Sequence, residues 1–447
     1  MNGVSVLSQS RVRTALVAAG LAVATAVTLT GTASAHQSDP HFRLDLRAPA
    51  TVVLDGSQLV KNQFGLIVGN KTLRTSLANL ITQANSELTA GPWSVVNKTQ
   101  VPPSGDKHDY LSYAPYWWPT QPLTASNPFG CPMKQIDGDR DPLVDSVPDH
   151  QSEIAAFADI YNLTLAWYYT GDRKYADRAE LDIRTWFTNP ATAQNPNMNF
   201  AQGIPCQFLG RGIGIIEFSY ALTEVVDSTA ILDDGAPGWS RADHNAIQTW
   251  DKSFLTWLRT SANGAQEDAQ TNNHGTFYDM MSAALALYTG QRSLAKTIVQ
   301  TSETTRIPTQ ILATGQQPLE TARTLSYHYS TFNLVALTRL AQLGQHVGVD
   351  VWHYTAPGGG SIFKAIDFVL PAATQGNLPS VWPYQDLTFF QYAALDAVHA
   401  AANAGDKNAK AALPNIPVEP GGDLFPIRPS AEQLDNVATT PAPPPAG

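Results

Sequence analysis

The chain has 447 residues, of which 43% are hydrophobic and 15% charged, with a formal net charge of −10. A chain of this length buries a large core without a membrane, and an acidic balance argues against bulk nucleic-acid binding. Two cysteines, Cys131 and Cys206, are too few for a disulfide-rich scaffold.

In chain order, the first signal is the apolar run "ALVAAGLAVATAVTLTGTASA", which follows Arg11 and Arg13 and ends in Ala33-Ser34-Ala35. Basic residues, an apolar stretch and small residues at a cleavage point describe a secretory signal over residues 1–35, cut near Ala35. Its removal takes away two arginines and no acid, so the exported chain is more acidic still. No later segment is apolar enough to span a bilayer. Export to an oxidising space makes a Cys131–Cys206 disulfide the expected state.

Residues 36–60 read as an N-terminal extension, residues 61–411 as one catalytic domain and residues 412–447 as a Pro-rich tail ending "TTPAPPPAG". Helical periodicity dominates the domain: Ile154, Phe157, Tyr161, Leu165 and Tyr168 fall on one stripe. An internal echo joins "WYYTGDRKYADRA" at 167–179 to "LYTGQRSLAKTIV" at 287–299. Each predicts a helix stopped at Gly171 or Gly290, a short turn and a second helix. "RLAQLGQHVGVDVW" at 339–352 is a looser third case. Repeated antiparallel helix pairs lead to an all-α bundle, a solenoid or a closed (α/α) toroid. Two long aromatic loops, one from Gly105 to His150 and one from Asn189 to Gly212, are expected to line a cleft on one toroid face.

Four constellations carry chemistry. In "HDYLSYAPYWWP", Tyr110, Tyr113, Tyr116, Trp117 and Trp118 offer flat amphipathic rings that stack on sugars or plug the core beneath a loop. His108 there binds substrate or satisfies a loop carbonyl. "HQSE" holds His150 and Glu153 at a helix start without a third metal ligand at a recognisable spacing, so His150 is read as a cap or substrate wall. "TNNHGTFYD" opens a helix: either Asn272 or Asn273 serves as N-cap, leaving the other amide and His274 to face the cleft, with Tyr278 on the same side. "PLETARTLSYHYSTFNL" offers Arg323, Tyr327, His328 and Tyr329, with Glu320 as a structural partner for Arg323. "GRGIG" at 210–214 lacks the setting of a phosphate loop, and its Arg211 is free to meet a carboxylate.

These pieces, "DKHDYLSYAPYWWP", "TGDRKYADRAELDIRTWFTNPATAQNPNMNFAQGIP" with "GRGIGIIE", "NNHGTFYD" and "ARTLSYHYSTFNL", together resemble the alginate lyase superfamily of polysaccharide lyases. The resemblance runs across roughly residues 60 to 400 and implies an incomplete (α/α) toroid. It also implies metal-independent β-elimination on a polyuronate, either mannuronate-rich alginate or a glucuronan-like polymer, with no cofactor. By that resemblance Asn273 and His274 hold or neutralise the uronate carboxylate, and Arg323 lowers the pKa of a tyrosine that acts as base and acid. Tyr329 matches one branch of the family and Tyr327 another; in an anti elimination His274 is instead the base. Lys107, His108, Tyr110, Tyr116, Trp117, Trp118, His150, Arg211 and His328 are the expected substrate contacts. A cluster of Lys107, Arg140, Arg211 and Arg323 at the cleft would offset the acidic surface for a polyanionic partner. The protein is expected to act as a secreted monomer.

Two rival functions remain at this stage. A glycoside hydrolase on the same toroid needs paired carboxylates, with Asp109, Asp149, Glu153, Glu217 and Asp279 as candidates. A secreted carbohydrate-binding protein would keep the aromatic groove and lack turnover.

Overall fold

The computed structural model describes residues 42–429. Helices account for most of it, and their stops follow the local chemistry read from the repeat. Helix α3 (Asp149–Thr170) ends at Gly171 with φ 71°, and α4 (Arg173–Ile183) starts at once because the Asp172 carboxylate accepts from the Lys174 N–H. Helix α8 (Asn273–Tyr288) likewise ends beside Gly290, φ 82°, before α9 (Arg292–Gln310). In the third, looser case α11 (Ser326–Val347) is closed by left-handed Gly348.

The remaining helices are α1 (Gly56–Ile67), α2 (Lys71–Glu87), α5 (Ala221–Leu232), α6 (Arg241–Thr260) and α7 (Ala262–Asp268). After them come α10 (Pro318–Thr321), α12 (Ile362–Gln375), α13 (Leu395–Asn403) and α14 (Lys407–Ala412). Their packing separates two layers. Inner helices are buried all round: in α11 the run Leu334, Val335, Ala336 and Leu337 is buried without interruption. Outer helices bury one stripe, as α6 does with Ile247, Trp250, Phe254 and Leu258. Helix α8 packs on α9 and α11, and α3 on α4 and α5, so helix pairs close an (α/α) toroid around one core.

Polar ties join the layers. Buried Arg339 on α11 donates to the Tyr220 carbonyl and the Thr223 hydroxyl at the start of α5, and pairs with Glu224 at 2.9 Å and Asp396 on α13 at 3.5 Å. Asp227 on α5 accepts from the backbone N–H groups of Val52, Val53 and Leu54. The packed unit is therefore wider than the 61–411 read from sequence: α1 begins at Gly56, and Ile416, Leu424 and Ile427 beyond α14 are buried. The expected signal segment, and the tail from residue 430 on, lie outside the described residues.

Two small sheets shape one end of the toroid. Strand β1 (Leu111–Tyr113) runs parallel to β4 (Phe200–Gly203), and β2 (Trp117–Pro119) pairs antiparallel with β3 (Met133–Gln135). A Cys131–Cys206 disulfide, Cα–Cα 6.5 Å, ties the two long loops together. Among the described residues no helix is long and apolar enough to cross a membrane.

Replacing Arg339 by leucine leaves Glu224 and Asp396 buried without their shared cation. Chemical denaturation should show a loss of about 3–5 kcal/mol; an unchanged midpoint would mean the tie is not stabilising.

Candidate active site

The two loops and the starts of α8 and α11 enclose a cavity of about 610 Å³. Tyr116, Trp117, Arg140, His150, Arg211, Asn272, Asn273, His274, Arg323, His328 and Tyr329 all line it. The chain thus gathers residues more than two hundred positions apart onto one wall.

The mouth of α8 is built on buried carboxylates. Neither amide of "NNH" caps the helix through its side chain, contrary to expectation. Asn273 instead donates its backbone N–H and its Nδ2 to the two oxygens of Glu320, both at 2.7 Å. The Oδ1 atoms of Asn272 and Asn273 are buried without a partner. His274 Nδ1 meets Glu267 at 3.0 Å, which leaves Nε2 as the ring nitrogen for the cavity. Gly275 permits this crowding: a Cβ there would stand 2.2 Å from the Gln270 carbonyl oxygen and 2.4 Å from Nη1 of Arg306. Arg306 in turn bonds Asp268, the Gln270 carbonyl and Asp279, and so fixes the turn ahead of the helix. Tyr278 points the other way and donates to the Leu258 carbonyl at 3.2 Å.

Opposite stands a tyrosine pair. The Tyr329 hydroxyl lies 2.8 Å from that of Tyr116, brought in by the long loop, and the Arg323 guanidinium sits 3.8 Å over the Tyr329 ring. Arg323 does not pair with Glu320; Asp137 from the same loop takes it in a two-pronged bond, at 2.6 Å for the closer contact. Burial pushes the Tyr329 hydroxyl well above the usual phenol range, and Arg323 pulls it back only in part. The expected lowering by Arg323 is thus present but outweighed. Tyr327 is placed elsewhere: its ring packs on Phe389 and Trp382, and its hydroxyl donates to the Gln391 carbonyl. His328 lies against Phe332, and burial together with Arg323 lowers it to about 3, so it is neutral.

Four expected contacts fall outside the cavity lining. Lys107 Nζ donates to the Lys98 carbonyl, and His108 takes the loop-carbonyl role with Ala193 at 2.6 Å. Tyr110 is fully buried and donates to Glu217, and Trp118 donates to the Asp139 carbonyl. Their bonds explain the placement: each polar tip is used within the protein. Of the four cations expected at the cleft, Arg140, Arg211 and Arg323 line it and Lys107 does not. Arg140 pairs with Asp145. Arg211 is held by the carbonyl and amide oxygens of Gln202, and among the described residues no carboxylate forms an ion pair with it.

Of the carboxylates a hydrolase would recruit, Glu217 alone lines the cavity, and it accepts from Tyr110 and Ser112. Asp149 pairs with buried Lys98, Asp279 with Arg306, and Asp109 accepts from Asn195 and Asn197. Glu153 stays buried beside His150 at 3.5 Å. Among the described residues no group of three His, Cys, Asp or Glu side chains is placed to hold a metal ion. Asp137, Gln202 and Glu267 were not singled out in sequence: Asp137 and Glu267 sit in stretches with no motif of their own, and Gln202 lies in a long matching stretch whose individual residues carry no role by spacing.

The alginate lyase family model matches residues 94–378. The chain belongs to that family, and it is a polysaccharide lyase. It is similar to the crystal structure of an alginate lyase from Bacteroides ovatus at 30% identity and TM-score 0.79, over 86% of this chain and 100% of that one. Alginate lyase A1-III, solved as a variant complexed with tetrasaccharide, is similar at 14% identity and TM-score 0.55, over 86% of this chain and 98% of that one. At that identity the likeness speaks for the fold. Among curated proteins none matches the chain.

Asp137→Ala should free Arg323 from its seat over Tyr329. Lyase turnover is expected to fall on the order of a hundredfold through mispositioning, while stability changes by less than about 1 kcal/mol because the pair is part-exposed. Unchanged turnover would show that Arg323 holds its place without the loop.

Proposed function

We propose that the protein is a secreted lyase that cleaves a polyuronate, mannuronate-rich alginate or glucuronan, by β-elimination. The observation that carries this reading is the convergence of Tyr329, under Arg323 and against Tyr116, with Asn273 and His274 on one cavity. The proton on C5 beside a carboxylate is very weakly acidic. A lyase must therefore compensate the carboxylate charge and stabilise the enediolate that deprotonation creates. Asn273, His274 and Arg211 are assigned that task.

Tyr329, as phenolate, takes the C5 proton; the electron pair left on C5 forms the C4=C5 bond as the C4–O4 bond breaks. The new Tyr329 O–H then protonates O4, which restores the phenolate in a syn elimination. A cation over the ring face favours the phenolate, and so does a hydrogen bond donated by neutral Tyr116. Only one of the two hydroxyls ionises, since two adjacent phenolates would repel. Trp117 supplies a flat wall for a sugar ring, and the free charge of Arg211 offsets the acidic surface locally.

Incubation of the purified protein with polymannuronate, polyguluronate and glucuronan should give ultraviolet absorbance from the conjugated product with at least one polymer. New reducing ends without that absorbance would move the reading to hydrolysis. Tyr329→Phe should lose about 100- to 10,000-fold in turnover, whereas Tyr327→Phe, which removes only a bond to a core carbonyl, should keep it. Because burial holds Tyr329 above the ordinary phenol range, the phenolate fraction grows with pH through neutrality. The turnover number should rise with it, and a fall over that range would contradict a tyrosine base.

A further inference from the structure

The Asn273 amide is only partly available for the task assigned to it. Its backbone N–H and one of the two Nδ2 hydrogens go to Glu320, which leaves a single Nδ2–H beside an Oδ1 that is buried without a partner, on a residue that lines the cavity. An amide oxygen and a uronate carboxylate are both acceptors, and their meeting would be repulsive. Glu320 is itself only 1% exposed. An incoming carboxylate would therefore face a second buried carboxylate across a single amide, a pair that cannot comfortably stay ionised together.

One proton removes both conflicts. We infer that binding of a uronate carboxylate is coupled to uptake of a solvent proton by Glu320, and that this turns the Asn273 amide. The new Glu320 O–H donates to Asn273 Oδ1, Nδ2 swings to the substrate carboxylate, and the Asn273 backbone N–H keeps its bond to the other Glu320 oxygen. No bond other than that O–H is made or broken. Glu320 is then a positioning residue, acting through Asn273. The inference rests on the reading of Asn273 as a carboxylate-holding residue.

The surroundings suit such a switch. Burial raises the Glu320 carboxyl, while the Asn273 donors and the charges of Arg323 and His274 lower it. Both groups are already engaged, Arg323 by Asp137 and His274 by Glu267, so neither is fully available to a further anion.

The test is calorimetric binding of oligomannuronate and of oligoglucuronate to the Tyr329→Phe protein, in buffers of different ionisation enthalpy. About one proton should be taken up per bound site near neutral pH, with affinity weakening about tenfold per pH unit above it. In Tyr329→Phe/Glu320→Gln the side-chain amide donates to Oδ1 without a proton, so binding should persist with no uptake and no pH dependence. In the Glu320→Gln single variant the KM should lose its pH dependence while the alkaline rise of turnover, which belongs to Tyr329, remains.

Binding without proton uptake in Tyr329→Phe overturns the inference and leaves the lyase reading intact; that arm keeps Glu320 native and does not depend on the second variant folding. Uptake that survives Glu320→Gln overturns it too, by placing the proton elsewhere. If neither oligomer binds and the wild type forms no conjugated product from any polyuronate, the polyuronate reading fails and takes this inference with it.

Discussion

The site depends on two carboxylates buried at the start of α8. Glu267 holds His274 by Nδ1, and Glu320 holds Asn273 by two donors. Burying a carboxylate is costly unless its oxygens are bonded, so each acid also dictates the orientation of the side chain it binds. The polar mouth of the helix is explained in these terms: neither amide caps it, and the one on Asn273 is oriented by Glu320. Helix α8 is packed between α9 and α11, which gives that mouth the rigidity of the inner ring.

The tyrosine pair is assembled by a loop and a helix together, with Tyr329 on α11 and Tyr116 on the long loop. Asp137 seats Arg323, Arg323 covers Tyr329, and Tyr116 from the same loop meets the Tyr329 hydroxyl. The β2–β3 pairing braces that loop internally, and the Cys131–Cys206 bond ties it to its neighbour. The cavity is thus built from the start of α8, fixed by buried carboxylates, and from a loop that completes the tyrosine pair at the start of α11. Of the three cavity arginines, Arg140 and Arg323 are paired with Asp145 and Asp137, so Arg211 is the local positive charge in a chain whose net charge is −10. Local charge at short range outweighs a screened global repulsion beyond about 8–10 Å.

The helix pairs were legible because the Tyr-Thr-Gly echo is a local signal: glycine stops a helix and an aspartate or a polar turn restarts it. Asn273, His274, Arg323 and Tyr329 were legible because they stand in compact motifs at helix entrances. Which tyrosine faces the cavity was not, since Tyr327 and Tyr329 differ only in which side of α11 they present, and that is set by Trp382 and Phe389 packing on Tyr327. The partner of Arg323 was likewise hidden: Glu320 is three residues away in sequence, yet Asp137, far along the chain, takes the bond. Aromatic loop residues misled for a related reason. Trp118 has a polar tip that closes its own loop and Tyr110 one that reaches buried Glu217, and spacing carries no trace of that choice.

The central claim is that this cavity breaks a uronide bond by elimination at C4–C5. Nuclear magnetic resonance of the products from a defined oligomannuronate or oligoglucuronate tests it most directly. The account requires one unsaturated uronate at the new non-reducing end for every new reducing end, and loss of both signals in Tyr329→Phe. Saturated sugars at both new ends would show that water, not a tyrosine-driven elimination, cleaves the chain.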